Sequence, residues 1–82
     1  MRVLISPITT EKAIKQIELE NKISFVVDIR ANKTQIAKAI ESMFRVKVAK
    51  INVQIRNNKK IAIIKLKPNY PAIDIATKLG LM

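Results

Sequence analysis

The side chains in this chain that could do chemistry are cations, and they are concentrated in its middle. Between Ile29 and Ile73 the sequence carries eleven Lys or Arg residues against one acid, Glu41. The formal net charge of +10 arises in this central stretch, because the five basic residues outside it are matched by five acids. Ammonium and guanidinium groups bind phosphate oxygens. An excess of positive charges this large causes mutual repulsion unless a polyanion neutralises it. The charge distribution predicts a nucleic-acid partner.

The sequence has few groups that could support catalysis or metal binding. The chain has no Cys and no His, which excludes disulfides, thiolate or imidazole metal sites, and an imidazole acid or base. Its single Gly leaves no phosphate-binding loop of the nucleotide-binding kind. The acids show no pairing suited to proton transfer. The sequence therefore predicts a protein that is not an enzyme and that uses no cofactor and no metal.

The length of 82 residues predicts one domain, 1–82, with a compact core and a thin margin of stability. The first eight residues hold a single Arg and a short apolar run, unlike a signal or transit peptide. No stretch approaches the roughly 20 apolar residues that a membrane span needs. We expect a soluble, cytoplasmic protein.

Periodicity and capping signals predict three helices and four strands. They fall, in order, as a brief edge strand at 2–5, a helix at 10–17, a strand at 23–29, a helix at 33–44, strands at 47–56 and 60–67, and a helix at 71–79. Asn57 and Asn58 separate the last two strands as a tight hairpin. The resulting fold class is α/β (α+β), with a small, mainly antiparallel sheet and helices packed on it.

Alternation divides the last two strands into a buried and an open face. The residues expected on the buried face are Ala49, Ile51, Val53, Ile55, Ala62, Ile64 and Leu66. Those expected on the open face are Lys50, Asn52, Gln54, Arg56, Ile61, Ile63 and Lys65. Apolar Ile61, Ile63 and Val26 among these charges require partial cover, either by the terminal helices or by a partner.

The mode of binding follows from what the open face lacks. The only aromatic residues are Phe25, Phe44 and Tyr70, and the first two belong to apolar faces, so stacking of bases is not expected. Contact with phosphates remains, with recognition of a folded RNA by its shape. From charge alone we assign RNA contacts to Lys15, Lys38, Arg56, Lys65 and Lys67, and from its place in the strip of donors at the hairpin tip also to Asn57.

Several segments, taken in order and spacing, resemble one family. They are Pro7-Ile8-Thr9-Thr10-Glu11-Lys12, Phe25-Val26-Val27-Asp28, Ala31-Asn32-Lys33-Thr34-Gln35-Ile36, Phe44-Arg45-Val46-Lys47-Val48, Lys59-Lys60-Ile61-Ala62 and Ala76-Thr77-Lys78-Leu79-Gly80. Together they resemble the L twenty-three family of large-ribosomal-subunit proteins over nearly the whole chain.

The resemblance implies a three-layer fold bound to large-subunit rRNA at the mouth of the polypeptide exit tunnel. It also implies neighbouring ribosomal proteins, and signal recognition particle or other nascent-chain factors, as partners. The positions that it carries over as rRNA contacts are Lys12, Asn32, Lys33, Thr34, Lys59 and Lys60. Bacterial members have a long hairpin loop that reaches into the tunnel, and eukaryotic members have a long basic N-terminal extension. Because neither feature occurs in this sequence, the pattern is similar to the archaeal form.

Two other functions fit the composition. One is a free-standing chromatin- or RNA-coating protein, which would be equally basic and equally without catalytic groups. The other is an adaptor that binds only proteins through Val26, Ile61 and Ile63. Within the ribosomal interpretation, Glu18 and Glu20 are candidate contacts for a docking factor, and their place in the sequence suggests that they lie away from the basic stretch.

Overall fold

The computed structural model describes residues 2–81. The elements run β1 (Leu4–Pro7), α1 (Glu11–Glu20), β2 (Lys22–Val27), α2 (Lys33–Phe44), β3 (Val48–Arg56), β4 (Lys59–Leu66) and α3 (Ala72–Lys78). All three strand pairs are antiparallel, and the strands lie in the order β1-β2-β4-β3. The predicted α+β fold with a small antiparallel sheet is confirmed.

Helices α1 and α2 begin where a hydroxyl and an amide side chain, respectively, cap them. The Thr10 hydroxyl accepts a hydrogen bond from the backbone N–H of Ala13 at 3.2 Å and caps α1. Helix α2 starts with a capping box, in which Asn32 and Gln35 each accept a hydrogen bond from the other's backbone N–H. Such caps satisfy N–H groups that have no partner inside the helix. They fix the start of α2 where the sequence predicts it.

The core lies between the sheet and the helices α2 and α3. One helix face of α2 is buried through Ile36, Ile40 and Phe44, and the rings of Phe44 and Phe25 are 6.5 Å apart between centroids. Helix α3 buries Ala72, Ile75 and Ala76 in the same cluster. This packing leaves the other face of the sheet free of α2 and α3.

Asn21 connects elements that are far apart in the sequence. It adopts the left-handed conformation (φ 56°) that ends α1. Its Nδ2 donates to the carbonyl oxygens of Leu66 at 3.2 Å and Tyr70 at 3.1 Å, and its Oδ1 accepts from the N–H of Ala72. One side chain therefore joins the start of β2, the end of β4 and the start of α3.

Three elements have bounds that differ by two or more residues from the sequence-based expectation. Strand β1 covers Leu4–Pro7 instead of 2–5, and β2 ends at Val27, before the predicted 29. The Asp28 carboxylate accepts a hydrogen bond from the N–H of Arg30 at 2.8 Å, which turns the chain and leaves Ile29 exposed. Helix α1 continues to Glu20, past the predicted 17.

Two residues expected on the buried face of β3 are exposed. Ala49 lies at an irregularity between Val48 and Lys50, where the pairing with β4 shifts by one residue. A bulge of this kind removes a residue from the regular alternation. Ile55 is 65% exposed because it lies near the end of an edge strand.

Candidate nucleic-acid interface

The β3–β4 hairpin closes in a two-residue turn, as predicted. Asn57 and Asn58 both have positive φ, 49° and 62°, which matches the turn that a two-residue hairpin favours. Arg56 and Lys59 lie directly opposite each other on either side of it. All four side chains are exposed, so the tip presents a continuous set of hydrogen-bond donors.

The first turn of α2 carries a cation where a helix usually carries an acid. Glu11 lies in the first turn of α1 and Asp74 in that of α3, whereas the first turn of α2 has no acid and begins with Lys33. The N-terminus of a helix carries partial positive charge, which a nearby anion stabilises. The partial positive charge at the N-terminus of α2 therefore adds to the charge of Lys33.

Lys60 brings this helix start and the hairpin tip together. It pairs with Val27 across the sheet, on the core side, and is half-buried. Its Nζ donates to the carbonyl oxygen of Ala31, the residue before the cap of α2. Lys59 points to the opposite face. The two neighbouring lysines thus serve two surfaces at the same end of the sheet.

We call the face of the sheet away from α2 and α3 the open face. Near the hairpin, α1 approaches it: a depression of about 210 Å³ is lined by Lys12 and Gln16 of α1 together with Arg56, Ile61 and Ile63. Residues of α1 thus supply part of the cover expected for Ile61 and Ile63, and both isoleucines are half-buried. Lys12 and Arg56 therefore line the same depression.

At the far end of the open face, three lysines form a row across the sheet. Lys65 of β4 pairs with Lys22 of β2 on one side and with Lys50 of β3 on the other. Lys22 also contacts Glu20 at 3.2 Å. Among the described residues, Lys50 and Lys65 take part in no ion pair. Like charges placed directly opposite each other destabilise a sheet.

Asp28 and Arg30 form a separate, self-contained pair in the turn before α2. Side-chain and backbone hydrogen bonds from Arg30 lower the pKa of Asp28 from 3.8 to about 2. The guanidinium contacts the carboxylate at 3.1 Å. Arg30 is thereby matched by an acid and adds little to the unbalanced charge.

No group of acidic, His or Cys side chains within residues 2–81 is arranged to hold a metal ion. Over the same residues, no helix is both long enough and apolar enough to cross a membrane.

Comparison with known proteins decides the family. Residues 2–70 match the model of the family described as Ribosomal protein L23. This chain belongs to the ribosomal protein L23 family. It is also 48% identical over 82 residues to the large ribosomal subunit protein uL23 of Trypanosoma brucei brucei. That alignment covers 99% of this chain and 50% of the relative, so the chain spans about half the length of the curated relative that it matches.

In this L23-family chain, the positions that the family resemblance singles out lie at the start of α2, at the start of β4 and on α1. Lys33, Thr34, Lys59 and Lys12 are exposed. Asn32 is exposed, but its Oδ1 is engaged with the N–H of Gln35 at 2.8 Å. Its Oδ1 therefore caps α2, and its Nδ2 makes no hydrogen bond within residues 2–81.

The positions added from charge alone are more scattered. Lys15 and Lys38 are exposed on α1 and α2. Lys65 and Lys67 lie at or just beyond the end of β4 that is farthest from the hairpin tip. The structure therefore divides the predicted site into a tip end and a far end, which the sequence treated as one stretch.

The predicted separation of Glu18 and Glu20 from the basic stretch is wrong. Both acids line a groove of about 700 Å³ together with Lys65 and Pro68, and Glu20 contacts Lys22. The chain returns at Asn21, so the end of α1 lies beside the end of β4. Distance along the sequence gave no sign of this.

Sequence reasoning also left Lys22 and Lys50 out of the site. Alternation already places Lys50 on the open face, but the row of three lysines depends on the register between strands. That register follows from the two-residue turn at Asn57 and Asn58, which fixes the β3–β4 pairing up to the bulge. The turn was therefore a sequence signal that could have placed Lys50 opposite Lys65. The sequence held no such signal for Lys22.

Proposed function

We propose that this chain is a structural constituent of the large ribosomal subunit that binds large-subunit rRNA near the polypeptide exit tunnel. One observation carries the proposal: in an L23-family chain of net charge +10, the hairpin tip and the start of α2 meet through the Lys60–Ala31 hydrogen bond. The role is architectural and needs no catalytic group. The place of action is the ribosome in the cytoplasm.

The chemistry of the tip end suits a phosphate backbone. Lys33 and Lys59 offer ammonium groups, and Asn57 offers an amide that can reach a sugar or a base edge. Phe25 and Phe44 pack in the core, and Tyr70 is half-buried. Without an exposed ring to stack on, recognition depends on charge and on the shape of a folded RNA.

The first test is the salt dependence of binding. If about eight phosphates are neutralised, affinity for a large-subunit rRNA fragment falls by several powers of ten between low and moderate salt. The measurement is a filter-binding titration of the whole chain at a series of ionic strengths. A flat response contradicts the proposal.

A second test locates the contact. The double variant Lys33→Gln and Lys59→Gln removes two ammonium groups that make no ion pair within residues 2–81. We expect weaker rRNA binding and a salt slope reduced by about two. Lys47→Gln with Lys78→Gln, at two exposed positions outside the assigned contacts, is the matched control and should leave both quantities nearly unchanged.

Sedimentation separates this role from the alternative of a free-standing chromatin- or RNA-coating protein. The native protein is run on a sucrose gradient from a cell lysate. Comigration with large subunits supports the ribosomal role. A slowly sedimenting pool, or one that follows DNA, supports the alternative.

The resemblance also suggests a docking role for neighbouring ribosomal proteins and for nascent-chain factors such as signal recognition particle. The surface that supports it is the end of α1, where Leu19 is 79% exposed between Glu18 and Glu20. An apolar centre with charged neighbours suits a protein contact. Ribosomes carrying Leu19→Ala should retain less signal recognition particle on cosedimentation, with normal incorporation of the chain into subunits. Equal retention contradicts this contact.

A further inference from the structure

The register of the sheet creates a surface to which the family-derived positions contribute only Lys59. Its members are exposed and share the open face: Lys50, Asn52, Gln54 and Arg56 on β3, with Lys59 and Lys65 opposite the two ends on β4. We call this set the donor stripe. Successive side chains on one face of a strand are about 6.6 Å apart, so the stripe is about 20 Å long.

The order of groups along the stripe is cation, amide, amide, cation. Lys50 and Lys65 pair at one end and Arg56 and Lys59 pair at the other. The amides of Asn52 and Gln54 lie between them. Next to the amides, Ile63 and Ile61 are half-buried, and residues of α1 line the depression above them. The accessible strip is therefore polar throughout.

Protection of an edge strand does not account for this arrangement. Lysines on an edge do discourage pairing with other chains, and β3 is an edge. Lys65, however, is on β4, which is paired on both sides. Glu18 and Glu20 line the groove beside Lys65 but form no ion pair with it within residues 2–81, so its position opposite two other lysines is unfavourable in the isolated chain. An external anion would turn this repulsion into attraction.

We propose that the donor stripe binds double-helical RNA across its shallow minor groove. The inference rests on the proposed function, since it names the form of RNA that this face would meet. An A-form minor groove is wide and shallow, displays 2′-hydroxyl groups, and is bordered by two phosphate backbones. The cationic ends of the stripe meet the two backbones, and Asn52 and Gln54 meet the 2′-hydroxyls between them.

Single-stranded RNA fits the stripe less well. Proteins that hold single strands stack bases on aromatic side chains, and none of the chain's three rings lies on this face: Phe25 and Phe44 are in the core cluster, and Tyr70 follows β4. Duplex DNA also fits less well, because its minor groove is narrower and lacks the 2′-hydroxyl. The stripe therefore predicts a preference among three polyanions of similar charge.

The experiment compares three probes with the whole chain by fluorescence anisotropy at one fixed salt concentration. The probes are an RNA duplex of about 16 base pairs, the DNA duplex of the same sequence, and one RNA strand alone. We expect the RNA duplex to bind most tightly. Equal affinity for the single strand or for DNA overturns the inference, as does equal affinity for a polyglutamate peptide.

Two double variants then assign the contacts. Lys50→Gln with Lys65→Gln should weaken binding of the RNA duplex about tenfold and reduce its salt slope by about two. Asn52→Ala with Gln54→Ala should weaken binding of the RNA duplex and leave the DNA duplex unaffected. Lys47→Gln with Lys78→Gln makes the same change of charge at two exposed positions outside the stripe and outside the assigned contacts, and is the control.

The outcomes distinguish this inference from the proposed function. If Lys50→Gln with Lys65→Gln binds the large-subunit rRNA fragment and the RNA duplex as the parent does, the stripe is not a contact and the ribosomal role stands. If the parent chain ignores the rRNA fragment altogether, the proposed function itself is wrong. Thermal unfolding of each variant checks the fold, and the lysine variants should be no less stable than the parent, because they relieve a repulsion.

Discussion

The two faces of the sheet follow the same register with opposite chemistry. On the core face, one row across β2, β4 and β3 consists of Ile23, Ile64 and Ile51. On the open face, the adjoining row consists of Lys22, Lys65 and Lys50. The first row gains stability by leaving water, and the second loses stability by bringing like charges together. One face therefore stabilises the fold, and the other carries a repulsion that the proposed anionic partner would relieve.

The hairpin end shows the same division within two residues. Lys59 points to the open face and Lys60 to the core side, where its ammonium contacts the start of α2. A charge on the core side has a structural partner inside the chain. A charge on the open face has none among the described residues apart from the contact between Lys22 and Glu20.

The largest effect on stability is expected from truncating an isoleucine on the core face, compared with truncating its neighbour on the open face. Ile64 is fully buried on the core face, and its neighbour Ile63 is half-buried on the open face. Ile64→Ala should lower the free energy of unfolding by about 2–5 kcal/mol, because it leaves a cavity in a packed core. Ile63→Ala should cost about 1 kcal/mol. Urea unfolding of both variants measures the difference, and equal losses would remove the distinction between the faces.

An intermediate effect is expected from the two lysines at the hairpin. Lys60→Met should cost about 1–2 kcal/mol, since it removes a charge-assisted hydrogen bond to the Ala31 carbonyl. Lys59→Met should change stability by less than about 0.5 kcal/mol, as is usual for an exposed position. The measurement is again the free energy of unfolding, at moderate salt. A larger loss from Lys59→Met than from Lys60→Met would reverse the assignment of the two side chains.

A smaller effect of opposite sign is expected in the lysine row. Lys65→Gln should raise the free energy of unfolding by about 0.5 kcal/mol at low ionic strength, because it relieves repulsion from Lys22 and Lys50. The gain should fade as salt rises, since the charges are exposed or half-exposed and are screened. Lys67→Gln, two residues further along, is the control outside the row. Destabilisation by Lys65→Gln alone would show that the row contributes to the fold.

Much of this division could be predicted from the sequence. Alternation assigned Ile61, Ile63 and Lys65 to one face and Ala62 and Ile64 to the other, because side chains in a strand point to opposite sides in turn. The capping signal at Asn32 located the start of α2 for a similarly local reason. These features could be predicted because they depend only on residues that are close together in the sequence.

The rest depends on contacts between residues far apart in sequence. Asn21 bonds to residues 45 to 51 positions away, and that return places Glu20 beside the lysine row. The bulge at Ala49 likewise arises from pairing with β4 and leaves no signature in the local pattern. Positions on one face and pairs across the β3–β4 hairpin could be predicted, whereas contacts between elements that are distant in sequence could not.

The smallest effect is expected at the turn between β2 and α2, where an acid and a base pair with each other and serve neither face. Hydrogen bonds from Arg30 lower the pKa of Asp28 to about 2, from the ordinary value of 3.8 for an aspartate. The contribution of this pair to stability is therefore present above about pH 4 and lost as the pH falls toward 2. Because the Arg30 side chain is mostly exposed, solvent and salt keep the contribution small. Unfolding measured from pH 5 to pH 2 should show a shallower dependence in Asp28→Asn than in the parent chain. Glu18→Gln, which removes an acid that forms no ion pair within residues 2–81, should not flatten the curve in the same way; if it does, the loss of stability in acid comes from overall charge and the turn has no special part in it.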